Sequence, residues 1–523
     1  MPNVSGRMVR AYHGRREGVQ NVAAARAACA VEVAVTLLAD SAAGTAAHVI
    51  VLALDQGTSA TKALVVTSLG DVLAEVEVPV DPVAIADGGV EQDAEQLWSS
   101  VLDAGRAALA RAGVRVDAVA LANQGETVVA WDRATGRPLA PALSWQDRRA
   151  AAWCARRVDT AERLAAVTGL PLDPYFAAPK IAWLREHVTR AGVVTTSDSW
   201  LLHRLTGADV TDVATASRTM LLDLDRGVWS AEACAAFDID PTTLPRIAGC
   251  AETIGVTSAF GDAIPVAGLA VDQQAALFAE GCLEAGAAKC TYGTGAFLLA
   301  TVGRRARRSS HGLAGCVAWR VGAATTYCLD GQVYTAGAAV EWLRTLGVLD
   351  STATLDALVA SAVGNDGALF VPALAGLGAP FGRPDARGAF VGLSLASGRA
   401  ELARAVVEGI AAHVTVIARA VEEDLGRALV RLRVDGGLAR STTLMQAQAD
   451  LLQIPIEVYP SPHATALGVA AFARLALGDV RSLEEASGGW SPSAVYEPRM
   501  AADEAEERVT RWRRAADAVA ALA

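Results

Sequence analysis

The sequence predicts an α/β protein with two large domains. Its 523 residues exceed what one hydrophobic core usually serves, and hydrophobic residues make up 52% of them. A buried-strand run that ends in a turn of glycine and small polar residues opens each half of the chain. The repetition predicts two related units, each with a ligand-sized loop at its first bend.

Charge and composition exclude several classes of function. The net charge is −11 and the arginines are scattered among acids, so we expect no nucleic-acid partner. The eight cysteines show no CxxC spacing, which argues against a zinc site or a redox pair. No apolar run approaches the ~18 residues of a membrane span, so a soluble, cytoplasmic protein is expected. The three lysines, Lys62, Lys180 and Lys289, are interpreted as coding bias without function.

Residues 1–48 are interpreted as an extension. Their arginines precede an apolar run at 22–39, which superficially suggests a targeting peptide. Glu32 interrupts that run and Asp40 follows it, so a secretory signal fits poorly and an organelle transit peptide fits somewhat better. We expect a dispensable segment with one helix and little other order. The two domains are then predicted at 49–281 and 282–523.

The first domain opens with a buried-strand run at 49–54 that ends on Asp55 and the turn 56–58. Strands at 63–66 and 72–78 and a helix at 93–112 follow. A strand at 118–122 then ends in the polar segment 123–126. Polar groups at the carboxyl ends of strands are typical of ligand sites in open α/β sheets.

The second domain repeats this pattern. A strand run at 287–292 leads into the turn 293–295, and a strand continues at 297–302. Later, a strand at 430–434 ends on Asp435-Gly436-Gly437, with a helix starting near Ser441. We place the domain boundary near residue 281, with residues 271–274 at the seam.

These parts suit phosphoryl transfer, which needs backbone amides around phosphates, a carboxylate for Mg²⁺ and a base near the acceptor hydroxyl. Asp55 beside the turn 57–59 supplies one carboxylate, and the turn 293–295 supplies a second place for phosphate. Taken singly, each turn is more often structural than functional. Their combination carries the interpretation.

The ordered motifs resemble the FGGY family of carbohydrate kinases over residues 49–478, most closely its glycerol kinase members. The resemblance implies two ribonuclease H-like (actin-like ATPase) domains with a catalytic cleft between them, the polyol on the N-terminal and ATP on the C-terminal domain. The matching segments are ALDQGT (53–58), GVEQD (89–93), NQGET (123–127), SWQDRR (144–149), DPYF (173–176), TD (211–212), ASRTM (216–220), DQQAALF (272–278), YGTG (292–295), GLGAP (376–380), VDGG (434–437) and ATALG (464–468).

The resemblance also implies roles for individual residues in an ATP- and Mg²⁺-dependent phosphorylation of a small polyol, such as glycerol to glycerol 3-phosphate. Asp272 is implied as general base, and Asp55 and Asp272 as metal ligands. The oligomeric state, a homodimer or a homotetramer, is left open. Implied substrate residues are Glu126, Trp145, Tyr175, Asp272, Gln273 and Phe297, and implied nucleotide residues are Thr58, Ser59, Gly293, Thr294, Gly295, Gly331, Gly436 and Gly437.

Plainer interpretations exist for several of these residues. Asp272 has the position of a helix N-cap, and Trp145 and Phe297 have that of core aromatics. Glu126 and Tyr175 suit ordinary loop and turn positions. Only their places within matching motifs favour a functional role.

The sequence departs from the family pattern at two points. Gly125 stands where glycerol kinases carry an arginine that grips substrate hydroxyls, which favours a longer tetritol, pentitol or ketose as the alternative substrate. The loop 261–263 lacks the arginine of the site at which some relatives bind an inhibitory sugar bisphosphate, so that regulation is expected to be absent. A non-catalytic nucleotide-binding protein is the remaining alternative, and the retained Asp55, Asp272 and both turns argue against it.

Overall fold

The computed structural model describes residues 48–363 and 367–523. The expectations for residues 1–47, including their helix, lie outside these ranges. Helices and strands alternate through both described halves, as the sequence predicts. None of the helices in these ranges combines the length and the apolar composition needed to cross a bilayer.

The strands form two groups along the chain, before and after residues 272–287. The first group is β1 (Ile50–Gln56), β2 (Ala60–Thr67), β3 (Val72–Pro79), β4 (Val83–Ile85), β5 (Gly89–Gln92), β6 (Ala118–Asn123), β7 (Val128–Trp131), β8 (Ala142–Leu143), β9 (Val193–Thr196), β10 (Val210–Asp212), β11 (Leu222–Asp223), β12 (Val228–Trp229), β13 (Arg246–Ala248), β14 (Thr253–Thr257) and β15 (Ile264–Val271). The second is β16 (Ala288–Tyr292), β17 (Ala296–Gly303), β18 (Ala314–Val321), β19 (Ala324–Val333), β20 (Leu369–Val371), β21 (Ala389–Val391), β22 (Leu432–Asp435), β23 (Ile456–Val458) and β24 (Ala494–Tyr496).

The helices connect these strands and cover the sheets. The α-helices are α1 (Ala94–Ala112), α2 (Ala151–Ala155), α3 (Ala161–Thr168), α4 (Ala177–His187), α5 (Ser197–Thr206), α6 (Val213–Ser217), α7 (Ala231–Ala236), α8 (Asp272–Ala279), α9 (Gly337–Thr345), α10 (Leu355–Ala360), α11 (Arg399–Leu425), α12 (Thr442–Leu452), α13 (Ala464–Leu477), α14 (Leu483–Ser487) and α15 (Ala502–Ala521). Short 3-10 helices lie at Ala86–Gly88, Val158–Thr160, Pro241–Thr243, Thr352–Thr354 and Gly437–Arg440.

The first large sheet has the spatial order β14-β15-β6-β1-β2-β3. β1, β2 and β3 form the predicted antiparallel meander, and β6 and β15 run parallel to β1. Its central strands β1 and β6 are buried on both faces, which explains their uninterrupted apolar runs. Since β1, β6 and β15 are parallel, their carboxyl ends bring Asp55, the segment after Asn123, and Asp272 to one edge of the sheet.

The second large sheet repeats that arrangement, with the order β18-β19-β17-β16-β22-β23-β24. Antiparallel β16, β17 and β19 correspond to the meander, and β22 and β23 run parallel to β16. The carboxyl ends of β16 and β22 place the glycine turns after Tyr292 and Asp435 side by side. The duplicated ribonuclease H-like architecture is confirmed.

A smaller sheet, β4-β5-β8-β7-β9, supports one side of the cleft. β7 begins two residues after Glu126, and β8 ends two residues before Trp145. Pairing of Val128 with Leu143 therefore fixes these two side chains relative to each other.

Helix α13 joins the two halves. It follows β23 of the second sheet, yet it packs on β15, β1 and β6 of the first sheet and along α8. One hydrophobic cluster accordingly runs through the seam, from Val51 and Ala53 to Leu299 and Ile417. The cleft lies over this continuous core.

Candidate active site

A cavity of about 200 Å³ lies where the strand ends of the two sheets meet. It combines residues from both halves of the chain, and most of the predicted substrate and phosphate residues lie on its wall. The lining residues are Thr58, Ser59, Gly125, Glu126, Trp145, Tyr175, Arg218, Val271, Asp272, Gln273, Thr291, Gly293, Thr294 and Phe297.

Asp272 is the first residue of α8, so its carboxylate lies at the positive end of a helix. Its Oδ1 accepts a hydrogen bond from the backbone N–H of Gln273 at 2.7 Å. Removal from bulk water raises the pKa of Asp272 to about 6, and the nearby charge of Asp55 acts in the same direction. A carboxylate of this basicity that faces a cavity is suited to accept a proton near neutral pH.

Asp55 is the penultimate residue of β1 and lies in a similar environment. Burial raises its pKa to about 6, Lys62 opposes the shift, and Asp435 adds to it. One carboxylate oxygen of Asp435 has no hydrogen-bond partner among the described residues. Three acids therefore concentrate negative charge beside the cavity, which favours a bound cation.

Three aromatic rings form one wall of the cavity. The centroid of Trp145 lies 5.8 Å from that of Tyr175 and 5.8 Å from that of Phe297, both in edge-on geometry. The indole Nε1 of Trp145 donates to Thr58 Oγ1 at 2.8 Å, which ties this wall to the first turn. The wall offers apolar faces to a carbon chain.

Glu126 supplies a polar side chain to the cavity. Its backbone φ is +56°, a left-handed conformation that a glutamate rarely adopts and that is typical of functional sites. Its carboxylate accepts from Arg218 Nε, and Arg218 also donates to Asp330 Oδ2 at 2.5 Å. Burial raises the pKa of Glu126 to about 7 although Arg218 opposes the shift. Arg218 lies in the matching segment ASRTM (216–220), but the sequence pattern predicts no role for it.

The turn at Gly293 and Thr294 lies against the start of α9. Gly293 N–H donates to the Gly295 carbonyl, and Gly337 N–H donates to the Gly293 carbonyl at 3.0 Å. A Cβ on Gly337 would lie 2.5 Å from that carbonyl oxygen, so only glycine permits this approach. Gly337 is a positioning residue that the sequence interpretation missed.

The other predicted nucleotide residues are placed less uniformly. Gly295 supports the turn but does not line the cavity, and Gly436 lies against the backbone of Tyr292, with Gly437 next to it. Gly331 lies inside β19, where a Cβ would meet Ile417 and Leu313 at 2.4 and 3.0 Å. Gly331 therefore faces the hydrophobic core and does not line the cavity.

Two of the three lysines, which the sequence analysis gives no function, make buried hydrogen bonds near the cavity. Lys289 Nζ is fully buried and donates to Gln273 Oε1 and Thr291 Oγ1, both at 2.6 Å. It thereby fixes the amide of Gln273 at the cavity wall. Lys180 Nζ donates to the carbonyls of Pro174, Tyr175 and Phe176, which holds the loop that carries Tyr175.

Lys180→Met is expected to lower the free energy of unfolding by about 3 kcal/mol, because it leaves three buried carbonyls without their hydrogen-bond donor. Urea unfolding followed by tryptophan fluorescence measures this. Lys62→Met is the matched control, since Lys62 is partly exposed and pairs with Glu77 at 3.8 Å. A control loss of similar size would contradict a supporting role for Lys180.

Asp55 and Asp272 fit a magnesium site only if a bound nucleotide supplies further ligands. In the described part of the chain, no cluster of three or more His, Cys, Asp or Glu side chains has the geometry to hold a metal. Mg²⁺ in kinases is usually held by one or two carboxylates, waters and the phosphates of the nucleotide. Asp55 and Asp272 lie close enough at the edge of the first sheet for the charge of Asp55 to raise the pKa of Asp272. These two carboxylates match that set of metal ligands.

Comparison with known proteins gives consistent matches over both halves. Residues 50–279 match the N-terminal domain and residues 288–477 the C-terminal domain of the FGGY family of carbohydrate kinases. Glycerol kinase of Bordetella parapertussis is 43% identical over 493 residues, which cover 90% of this chain and 97% of that protein. Glycerol kinase of Myxococcus xanthus is 41% identical over 488 residues, with 89% and 98% covered.

Solved structures give the same picture. The structure of Plasmodium falciparum glycerol kinase with ADP superimposes with a TM-score of 0.83 at 28% identity, covering 90% of this chain and 98% of that one. Xylulose kinase from Rhodospirillum rubrum superimposes with a TM-score of 0.77 at 26% identity, covering 91% and 99%.

Proposed function

Because the chain belongs to the FGGY family of carbohydrate kinases, we propose that it transfers the γ-phosphoryl group of ATP to a hydroxyl of glycerol. The observation that carries the proposal is the cavity that unites Asp272 with Glu126, Tyr175 and Trp145 on one side and the turn at Gly293 on the other. Relatives that are 41–43% identical and named glycerol kinase support the choice of substrate.

The proposed reaction begins with the polyol bound against the aromatic wall and the polar side chains of the cavity. Trp145 and Phe297 pack on the carbon chain, while Glu126, Tyr175 and Gln273 bind hydroxyls. Asp272 accepts the proton as the hydroxyl oxygen attacks the γ-phosphorus, and the bond from that phosphorus to ADP breaks. A small cavity that excludes water favours this transfer over hydrolysis of ATP.

The nucleotide is proposed to lie against the second domain. Thr58, Ser59, Gly293 and Thr294 face the cavity and offer hydroxyls and backbone amides to phosphate oxygens, and Gly436 and Gly437 admit the adenosine. Asp55 and Asp272 would hold Mg²⁺, which neutralises developing charge on the phosphates when bound. We place the domain boundary at residue 281, between β15 and β16, and the enzyme in the cytoplasm.

A longer polyol or ketose is the second candidate, and Gly125 is the observation that favours it. Gly125 places no side chain at the cavity wall, whereas the family motif has an arginine at this position. ADP release measured with Mg²⁺-ATP against glycerol, tetritols, pentitols and ketoses tests both candidates. Glycerol with the highest kcat/KM supports the first, a longer acceptor supports the second, and turnover of none contradicts kinase activity on polyols.

The acid limb of the pH profile should involve two carboxylates. The pKa of Glu126 is raised to about 7 and that of Asp272 to about 6, and both must be ionised to bind and deprotonate the polyol. We expect kcat/KM for the polyol to fall below about pH 7 and to fall more steeply, towards about a hundredfold per unit, below pH 6. Glu126→Gln should leave a limb of about tenfold per unit centred near pH 6. An acid limb that is unchanged in this variant would remove Glu126 from the titration.

A further inference from the structure

Arg218 lies at the C-terminal end of α6 and reaches the cavity beside Gly125. Resting on the proposed kinase function, we propose that Arg218 donates hydrogen bonds to the substrate and, paired with Glu126, selects polyols with two adjacent hydroxyls. The contacts of its guanidinium, the packing around Gly125 and the position of Glu126 support this assignment.

The guanidinium of Arg218 is held rigidly at the cavity wall. Only 3% of the Arg218 side chain is exposed, and its Nε and Nη1 donate to Glu126 and Asp330. Nη2 carries two hydrogens, and within the described ranges its hydrogen bond is a long one, 3.4 Å to the hydroxyl of Tyr175. Nη2 therefore retains donor capacity on the side shared with Tyr175 and Glu126, which both line the cavity.

Gly125 lies next to both Val271 and the guanidinium of Arg218. A Cβ on Gly125 would lie 2.9 Å from Val271 Cγ2, and 3.7 Å from Arg218 Nε. Any side chain at 125 would press on Val271 and stand against Arg218. Glycine at this position therefore keeps Arg218 accessible to a ligand, and Val271 occupies the space that a side chain at 125 would need.

The arrangement predicts the class of substrate. Arg218 only donates hydrogen bonds, and the ionised Glu126 beside it only accepts them. Two hydroxyls on adjacent carbons satisfy such a pair, since one accepts from Arg218 while the other donates to Glu126. Glycerol presents this diol next to its reacting hydroxyl, and so do tetritols, whereas propane-1,3-diol lacks it.

Arg218→Lys tests the proposal because it keeps the positive charge between two acids but removes the planar donor fork. The readouts are kcat/KM for glycerol and the inhibition constant of propane-1,3-diol, a ligand of similar size without the central hydroxyl. We expect a loss of about 10- to 100-fold for glycerol and less than about threefold for propane-1,3-diol. A similar loss for both ligands would overturn the proposal, since a purely structural residue does not distinguish them.

Asp330→Asn is a second variant that preserves side-chain shape. Asp330 is buried and does not line the cavity, so it acts by orienting Arg218. The same selective loss for glycerol, about three- to tenfold, is expected from this neutral partner. An unchanged kcat/KM for glycerol in this variant would count against the proposal. Wild-type turnover of glycerol is measured first, because its absence would refute the proposed function and not the role of Arg218 alone.

Discussion

Asp272→Asn is expected to lower kcat for glycerol by about 10²- to 10⁴-fold, with the affinity for ADP in the absence of Mg²⁺ changed little. The substitution keeps the size of the side chain and an oxygen that accepts from Gln273 N–H. It removes the group that can take the proton of the attacking hydroxyl. Single-turnover measurements of phosphorylated product isolate the chemical step, and calorimetric titration with ADP reports nucleotide binding.

Asp93→Asn is the matched control for this experiment. Asp93 also lies at a helix start, where it accepts from Glu95 N–H, but it does not line the cavity. Asparagine caps helices about as well as aspartate, so this variant should retain wild-type turnover. If Asp272→Asn kept more than about a tenth of the wild-type rate, the proton would have to leave through another group.

Much of the site could be predicted because its residues end strands. The apolar run at 49–54 indicates a buried strand, and the carboxyl ends of parallel strands share one edge of a sheet. Asp55, Glu126 and Asp272 lie at or just after the carboxyl ends of parallel strands, and each of these strands can be recognised from a short segment of sequence. The duplicated glycine turns follow from the same rule, and the structure confirms this part of the fold.

The pairing of Arg218 could not be predicted in the same way. Its partners Glu126 and Asp330 are 92 and 112 residues away in the chain, and no local pattern selects them from the other acids. Lys180 and Lys289 were missed for a related reason, because only the tertiary structure buries them. Their rarity in an arginine-rich chain was the available signal, since lysine is seldom buried without a specific partner.

Gly331 and Gly337 show that motif position alone does not tell which glycine contacts the turn at Gly293. The two glycines lie six residues apart in the sequence, and a Cβ at either position would clash with a neighbouring atom. Gly331 packs against Ile417, whereas Gly337 starts α9 and contacts the turn at Gly293. The difference is that Gly331 lies within β19 and packs on α11, whereas Gly337 follows β19 and begins α9.

Helix α13 also escaped the sequence interpretation, since it belongs to the second half of the chain but packs on the first sheet. Its close approach depends on glycines. A Cβ on Gly468 would lie 2.0 Å from the carbonyl oxygen of Ala275 in α8, and a Cβ on Gly268 of β15 would lie 2.5 Å from the Val469 carbonyl oxygen. Backbone meets backbone at both contacts, so neither neighbour can rotate away.

Gly468→Ala is therefore expected to lower the free energy of unfolding by about 3 kcal/mol, the upper end for overpacking, despite the better helix propensity of alanine. The substitution must push α13 away from α8, which carries Asp272 and Gln273. A displacement of about 1 Å at reacting groups can reduce kcat/KM by about a hundredfold. Thermal unfolding and turnover of glycerol measure the two effects.

Gly105→Ala is the matched control, because Gly105 is also inside a helix and its Cβ would lie 2.4 Å from Phe260, a side chain that can rotate. The control should cost less stability and leave turnover near the wild-type rate. Equal effects of the two substitutions would mean that α13 can shift without disturbing α8. The orientation of Asp272 would then depend on β15 alone, and the two sheets would hold their catalytic residues independently of the helix that joins them.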